Sequence, residues 1–397
     1  MLVRIVNKLL SLRGRVRFSR GAGPSAAISY ILAPPIWYNS YFTSEHNNRA
    51  TVYFMSQALA EMGFKVDLFD YRKKAPAIDP DCRLFIGHNI HFASIAESLE
   101  RKDASRVLIL SGSYHHFGNE QQHIRASNLA ARRGSSVPVH RNNIVPDLDP
   151  NFKVADRLLL MGTDFIRNTY PEKVREKMSL FNNVVVMGCE KKRFTSRNFL
   201  FMSSVGQVHR GLDLVLETFA KRDERLYVCS MFPTEPDFVK MYEKELFRTQ
   251  NIEPVGYVQM GGKGFHKLVD QTGFCILPSC SEGQSGSLLN CMARGLIPVA
   301  TANCGIPEIE KIGYLIAGGA LTDVQEAVER AASATESELA EKRELLYRLM
   351  PNFLPPAFKS RFRKIIKSIV DPDRITNPSR LPDPQIIFQP AETGNKV

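Results

Sequence analysis

Short apolar runs bounded by polar residues recur along the chain without polar alternation. Ile28–Ala33, Lys65–Phe69, Arg83–Ile86, Val107–Leu110, Arg157–Met161 and Asn183–Met187 form one series. Phe199–Ser203, Leu226–Ser230, Ile252–Tyr257, Phe274–Leu277, Ile297–Thr301 and Gly313–Ile316 form a second. Runs of this kind suit strands covered on both faces, as in parallel sheets. Stretches of helical spacing lie between some of them. In Ala50–Met62, the residues Val52, Met55, Leu59 and Met62 share one face, and Gly63 ends the helix. In Gly211–Arg222, Leu212, Val215, Leu216 and Phe219 form one stripe. Strands joined by helices imply right-handed crossovers and an α/β class. Two series imply two doubly wound domains facing across a cleft. Ligands of such folds bind at the carboxyl ends of strands, near topological switch points.

The pattern divides the chain into residues 1–25 as a basic N-terminal extension, 26–188 as the first domain and 189–198 as a polar linker. Residues 199–356 follow as the second domain, 357–370 as a terminal amphipathic helix and 371–397 as a tail. In the terminal helix, Phe358, Phe362, Ile365, Ile366, Ile369 and Val370 form the apolar stripe, while Lys359, Arg361, Arg363, Lys364 and Lys367 lie largely away from it. That helix either packs on the protein with its basic face solvated or meets a membrane surface.

A length of 397 residues agrees with two domains. With 44% hydrophobic and 23% charged residues the chain reads as globular, neither disordered nor collagen-like. No stretch approaches the length of a transmembrane helix. The net charge is +11, and Arg4, Lys8, Arg13, Arg15, Arg17 and Arg20 contribute to it without one acidic residue among the first twenty. That segment is either a frayed, solvated terminus or a basic amphipathic contact with anionic lipid. Basic charge also raises nucleic acid as a partner, but no aromatic-basic sheet motif or helix-turn-helix pattern accompanies it. Seven cysteines, an odd number without CxxC pairs, suggest a reducing compartment and argue against a disulfide framework or zinc site. Gly261-Gly262-Lys263-Gly264 lacks the ending and spacing of a phosphate loop.

Chemistry concentrates in Leu277–Ile309, LPSCSEGQSGSLLNCMARGLIPVATANCGIPEI. It reads as strand, loop, helix, strand and turn. The small, polar loop Ser279–Gly286 lets backbone approach a ligand closely. The helix Ser287–Arg294 offers unpaired N–H groups and a positive dipole end to an anion such as a diphosphate. Leu288, Leu289 and Met292 anchor that helix, and Asn290 lies elsewhere on it. Upstream, Val205-Gly206-Gln207-Val208-His209-Arg210-Gly211-Leu212-Asp213 reads as a glycine-bounded turn opening a helix.

The first of these stretches resembles the donor-binding segment of retaining GT-B glycosyltransferases, particularly family four. There a strand ending in Pro-Ser leads to Glu-Gly, then Gly-x-Pro-Val, then Gly-x-Pro-Glu. Here these are Pro278-Ser279, Glu282-Gly283, Gly295-Leu296-Ile297-Pro298-Val299 and Gly305-Ile306-Pro307-Glu308. The resemblance implies the GT-B fold and a donor site made by Gly206, Gln207, Arg210, Gly283, Ser285, Gly286, Ser287, Leu288 and Asn290. It implies that Arg210 grips the donor diphosphate and Glu282 orients the donor sugar. Two positions depart from the family. Asn290 stands where the second Glu usually meets the nucleotide ribose, and Gln207 stands where a second cation usually meets the diphosphate.

The family often has a functional His in a loop of the first domain. His115 and His116, in Ser111–His116 after the fourth strand-like run, imply one such residue near the donor sugar, without a choice between them. Trp37 and Tyr38, after the first strand, are either core packing or an acceptor platform. The resemblance implies transfer of a sugar to an acceptor hydroxyl with retained configuration. No metal or cofactor is needed, because the nucleotide sugar is itself a substrate and the leaving phosphate helps deprotonate the acceptor. Expected partners are that donor and a glycan or lipid-linked acceptor, in surface polysaccharide synthesis. The expected location is cytoplasmic, with peripheral contact at the inner face of the membrane through the basic N-terminus. Gln207 and Asn290 also motivate a GT-B-shaped binding protein that has lost catalysis. A nucleotide-sugar epimerase or phosphorylase on the same architecture is a third reading.

Overall fold

The structure, a computed structural model, describes residues 14–20, 23–33, 47–88, 90–140, 148–191 and 196–370. Two sheets organise it. The first contains β1 (Arg15–Arg20), β2 (Ser25–Tyr30), β3 (Lys65–Asp70), β4 (Cys82–Gly87), β5 (Ser105–Leu110), β6 (Arg157–Met161) and β7 (Met178–Phe181). Their order is β1-β3-β2-β4-β5-β6-β7. The second contains β8 (Phe199–Met202), β9 (Leu226–Cys229), β10 (Ile252–Pro254), β11 (Phe274–Leu277), β12 (Ile297–Thr301) and β13 (Tyr314–Ile316), in the order β10-β9-β8-β11-β12-β13. All strand pairs are parallel except β1 with β3. Central strands such as β8, β9 and β11 are buried throughout, as their unbroken apolar runs require.

Two elements differ from the sequence reading. The stretch read as a basic extension contains β1. Its residues alternate, with Val16 buried and Phe18 edge-on to Tyr53 at 5.5 Å, while Arg15 and Arg17 point the other way. Both arginines bind Asp67 of β3, at 3.0 and 2.7 Å, and the Asp67 side chain is only 3% exposed. A buried carboxylate of this kind needs charged partners, so these cations belong to the fold rather than to a solvated tail. The second difference is Asn183–Met187, read as a strand. The strand is β7, and Val184 and Val185 are instead buried in an extended crossing, where the Val185 N–H donates to the Phe353 carbonyl at 2.8 Å. Burial in a crossing segment leaves the same apolar signature as burial in a sheet.

The terminal helix, Pro355–Ile369, follows the second domain in sequence yet packs on the first. Phe358 and Phe362 approach Phe181, with ring centroids 4.7 and 5.8 Å apart, and Phe358 also reaches Phe54 of the Asn47–Glu61 helix. Lys359 bonds Glu61 at 2.6 Å, and Arg363 pairs with the same carboxylate. Its apolar stripe therefore faces protein, while Arg361, Lys364 and Lys367 are exposed. Among the described residues no helix is long and apolar enough to cross a membrane. The seven cysteines are free, and burial pushes the Cys82 and Cys229 thiols up to about 12.

Because Phe362 is fully buried between that helix and β7, Phe362→Ala should destabilise the protein by about 3–5 kcal/mol through lost burial and a residual cavity. A lowered urea midpoint, with circular dichroism at low temperature unchanged, is the expected result.

Candidate active site

Strand order reverses between β8 and β11. From β8 the chain moves out to β9 and β10, whereas from β11 it moves the opposite way to β12 and β13. The crevice at their carboxyl ends is the topological switch point, where ligands of open α/β sheets bind. Both sequence motifs emerge there, one after each strand.

They are bonded to one another. The Cys280 N–H donates to the His209 carbonyl at 3.0 Å, and the Ser279 hydroxyl donates to the same oxygen at 3.3 Å. His209 Nε2 lies 2.5 Å from the Ser281 carbonyl, and Nδ1 lies 3.0 Å from Gln122 Oε1. Arg210 and Glu282 form an ion pair whose side chains are 13% and 9% exposed. Ser279 Oγ also reaches Glu282 Oε1, at 3.2 Å. Beside them the Gly286–Ala293 helix begins at Ser285, whose hydroxyl caps none of its N–H groups and lies 3.2 Å from the Ser287 hydroxyl. The first N–H groups of a helix have no intrahelical acceptor. Gly286 and Ser287 are half-buried, so this end is open to the crevice, while Leu288, Leu289 and Met292 anchor the helix in the core.

Gln207 and Asn290 both bond protein groups. Gln207 is fully buried, and its Nε2 donates to Ser204 O at 2.9 Å and to Glu235 Oε1 at 3.2 Å. Glu235, itself buried, also accepts the backbone N–H groups of Gly206 and Gln207, at 2.5 and 3.1 Å. Asn290 Nδ2 folds back to the Gly286 carbonyl at 2.7 Å.

The other wall comes from the first domain. The His115–Arg133 helix follows β5 in sequence but lies against the second domain, and its Leu129 joins that domain's core. Arg125 Nη2 donates to the Pro278 carbonyl at 3.0 Å. Arg132 bonds Asp213 at 2.6 Å and Glu217 at 3.0 Å, while Arg133 bonds Glu217 at 3.1 Å and Glu245 at 2.6 Å. Burial raises the pKa of the Asp213 carboxyl, and the charges of Arg125 and Arg132 oppose that shift. Nearer the crevice the Ser113 N–H donates to the Glu282 carbonyl at 2.9 Å, and the Ser113 and Ser281 hydroxyls are 2.5 Å apart. Gly283 abuts the Ser111 carbonyl so closely that a Cβ there would stand 2.2 Å from its oxygen. Behind it the Asn183 N–H donates to Gln284 Oε1 at 2.6 Å, and Gln284 Nε2 donates to the Gly305 carbonyl at 3.2 Å.

The structure thus brings Gly206, Arg210, Glu282, Gly283, Ser285, Gly286 and Ser287 to one crevice. His115 and His116 sit on the first turn of the neighbouring helix, with ring centroids 4.2 Å apart. His115 is buried and also meets the Tyr114 ring at 4.5 Å, while His116 is exposed. Trp37 and Tyr38 lie outside the described residues. The sequence reading did not single out Gln122, Glu235, the three arginines or His88. His88 follows β4, with Nε2 3.1 Å from Ser111 Oγ and its ring over that of Tyr30 at 4.6 Å.

Residues 196–334 match a family model for glycosyl transferases group 1. Among solved structures, the chain is similar to TarM of S. aureus at 12% identity and a TM-score of 0.52, over 74% of this chain and 56% of TarM. It is similar to HepE of Anabaena, solved with UDP and glucose, at 12% identity and a TM-score of 0.56, over 87% of this chain and 100% of HepE. Sucrose-phosphate synthase of Thermosynechococcus elongatus aligns at 14% identity and a TM-score of 0.55, over 87% of this chain and 98% of that one. None of the curated proteins compared with the chain matches it.

Desolvation holds the His88 imidazole at a pKa of about 4, below its usual 6.5. Between those values the unfolded chain binds a proton that the folded chain does not. Stability is therefore full above about pH 6.5 and falls as the pH drops toward 4. Melting temperatures measured from pH 7 to pH 4.5 should fall more steeply for wild type than for His88→Gln. Parallel curves would show that His88 does not carry this dependence.

Proposed function

From a chain with the GT-B fold and a group 1 glycosyl transferase match over its second domain, we propose a retaining glycosyltransferase acting on a nucleotide sugar. The observation that carries this reading is the Arg210–Glu282 pair, held at the switch point beside the open start of the Gly286–Ala293 helix. Arg210 and that helix start hold the donor diphosphate and stabilise charge as it leaves, so the site works without a metal. Glu282 accepts hydrogen bonds from hydroxyls of the donor sugar. The bond from the anomeric carbon to the diphosphate breaks, the acceptor oxygen bonds that carbon on the same face, and the acceptor proton passes to the leaving phosphate. HepE, solved with UDP and glucose, supports a UDP-hexose as the first donor to test. The acceptor is read as a glycan or lipid-linked saccharide of surface polysaccharide synthesis. The place of work is the cytoplasm, with the basic N-terminus offering a peripheral membrane contact.

A second reading has a specific observation behind it. The side-chain amides of Gln207 and Asn290 both bond protein groups, as expected for a binding protein that has lost catalysis.

Thermal shift and nucleotide release should be measured with UDP-, GDP-, ADP- and CMP-sugars, without metal and then with it. Selective stabilisation by one nucleotide class, with slow metal-free release, is the expected result. Binding without turnover, even with acceptors supplied, would favour the second reading. Glu282→Ala should lower turnover about 10–100-fold, the size of a lost charge-assisted hydrogen bond. Equal turnover by that variant would overturn the assignment of Glu282.

A further inference from the structure

Two neighbouring strands of the first sheet end side by side at the crevice, β4 at His88 and β5 at Ser111. The His88 ring is fixed from several sides. It lies over Tyr30 at 4.6 Å, its edge meets Tyr71 at 6.4 Å, and its backbone N–H donates to the Ser29 carbonyl at 3.0 Å. Among the described residues Nδ1 is buried and makes no hydrogen bond, so the 3.1 Å contact of Nε2 with Ser111 Oγ is the polar contact that orients the ring. Ser111 itself is exposed. Its carbonyl rests on Gly283, and two residues on, Ser113 is bonded to the Glu282 carbonyl. The Ser111 hydroxyl therefore stands where the first domain meets the turn that carries Glu282. A neutral imidazole carries its proton on one ring nitrogen. With that proton on Nε2 and donated to Ser111 Oγ, Nδ1 carries no N–H in need of a partner, and the serine hydroxyl hydrogen is left for an oxygen in the cleft.

We propose that Ser111 is an acceptor-contacting residue, whose hydroxyl donates a hydrogen bond to the oxygen of the attacking acceptor hydroxyl, and that His88 is its positioning residue. This rests on the transferase reading. Ser111 forms no covalent bond and takes no proton in the step, since the acceptor proton still passes to the leaving phosphate. Its effect is to aim an oxygen lone pair of the acceptor at the anomeric carbon, a matter of orientation.

The test uses the full chain, UDP-glucose as donor and octyl glucoside as acceptor, and compares wild type with Ser111→Ala, Ser111→Thr, His88→Gln and the double variant Ser111→Ala/His88→Gln. Ser111→Ala should lower kcat for transfer about tenfold, the scale of one hydrogen bond, with the UDP-glucose thermal shift unchanged. Ser111→Thr, which keeps the hydroxyl, should restore most of that rate. His88→Gln should lose rate through Ser111, so the double variant should be no slower than Ser111→Ala. Transfer by Ser111→Ala within twofold of wild type would overturn the proposal, as would single losses that multiply in the double variant. A rate loss matched by a lost thermal shift would also overturn it, as damage to the donor site. A wild type that binds UDP-glucose but transfers nothing to any acceptor supplied would instead overturn the transferase reading, and this inference with it.

Discussion

Arg132 and Arg133 bind three carboxylates of the other domain, and this seam sets the cleft. The helix that carries them is tied to the first domain through β5 and packed into the second through Leu129. Asp213 is fully buried, so removing its partner would leave an uncompensated charge. Such pairs add little net stability over apolar packing, but they tolerate one geometry only. The consequence reaches the crevice through a short path. The start of the same helix follows Ser113, which bonds Glu282, and Ser111, which rests on Gly283. The turn holding Glu282 is thus shaped by both domains. Any substituent at Gly283 would push the Ser111 carbonyl away, and the cleft with it.

The two sheets were legible because their strands are buried on both faces, and burial without alternation is what the apolar runs record. The exceptions follow from the same physics. In Arg15–Arg20 the period-two alternation was present, but its outward face is arginine, and the carboxylate that neutralises it, Asp67, is some fifty residues away in sequence. Asn183–Met187 is apolar because it is buried between elements, which composition does not distinguish from a strand. The His115–Arg133 helix buries His115, Gly118, Gln122, Arg125 and Leu129, positions at helical spacing with a single large apolar side chain among them. Hydrophobic periodicity is blind to a stripe that packs on a polar partner. The Leu277–Ile309 segment was legible for the opposite reason, since its glycines, prolines and Glu282 lie close together in one run. Gln122, Glu235 and His88 are brought to it only by tertiary folding.

Glu235 gives the departure at Gln207 a physical meaning. This buried carboxylate takes the N–H groups of Gly206 and Gln207 and the Gln207 amide, so it already occupies the start of the turn that carries Arg210. An arginine at position 207 would meet Glu235 before it met a ligand. The neutral amide instead satisfies Glu235 while adding no charge to the crevice.

In the proposed reaction Arg210 serves the diphosphate without a second cation at position 207, although it is paired with Glu282. A guanidinium carries five N–H donors in a planar fork, and one carboxylate does not exhaust them. In the proposed reaction Arg210 can keep one edge on Glu282 and present another to phosphate, which couples the two ends of the donor through a single side chain. Negative charge developing on the leaving diphosphate draws the guanidinium toward it. That leaves the Glu282 carboxylate freer to accept from the sugar hydroxyls as the glycosidic bond to phosphate lengthens. A lysine at position 210 would keep the charge but lose the second edge, and with it this coupling.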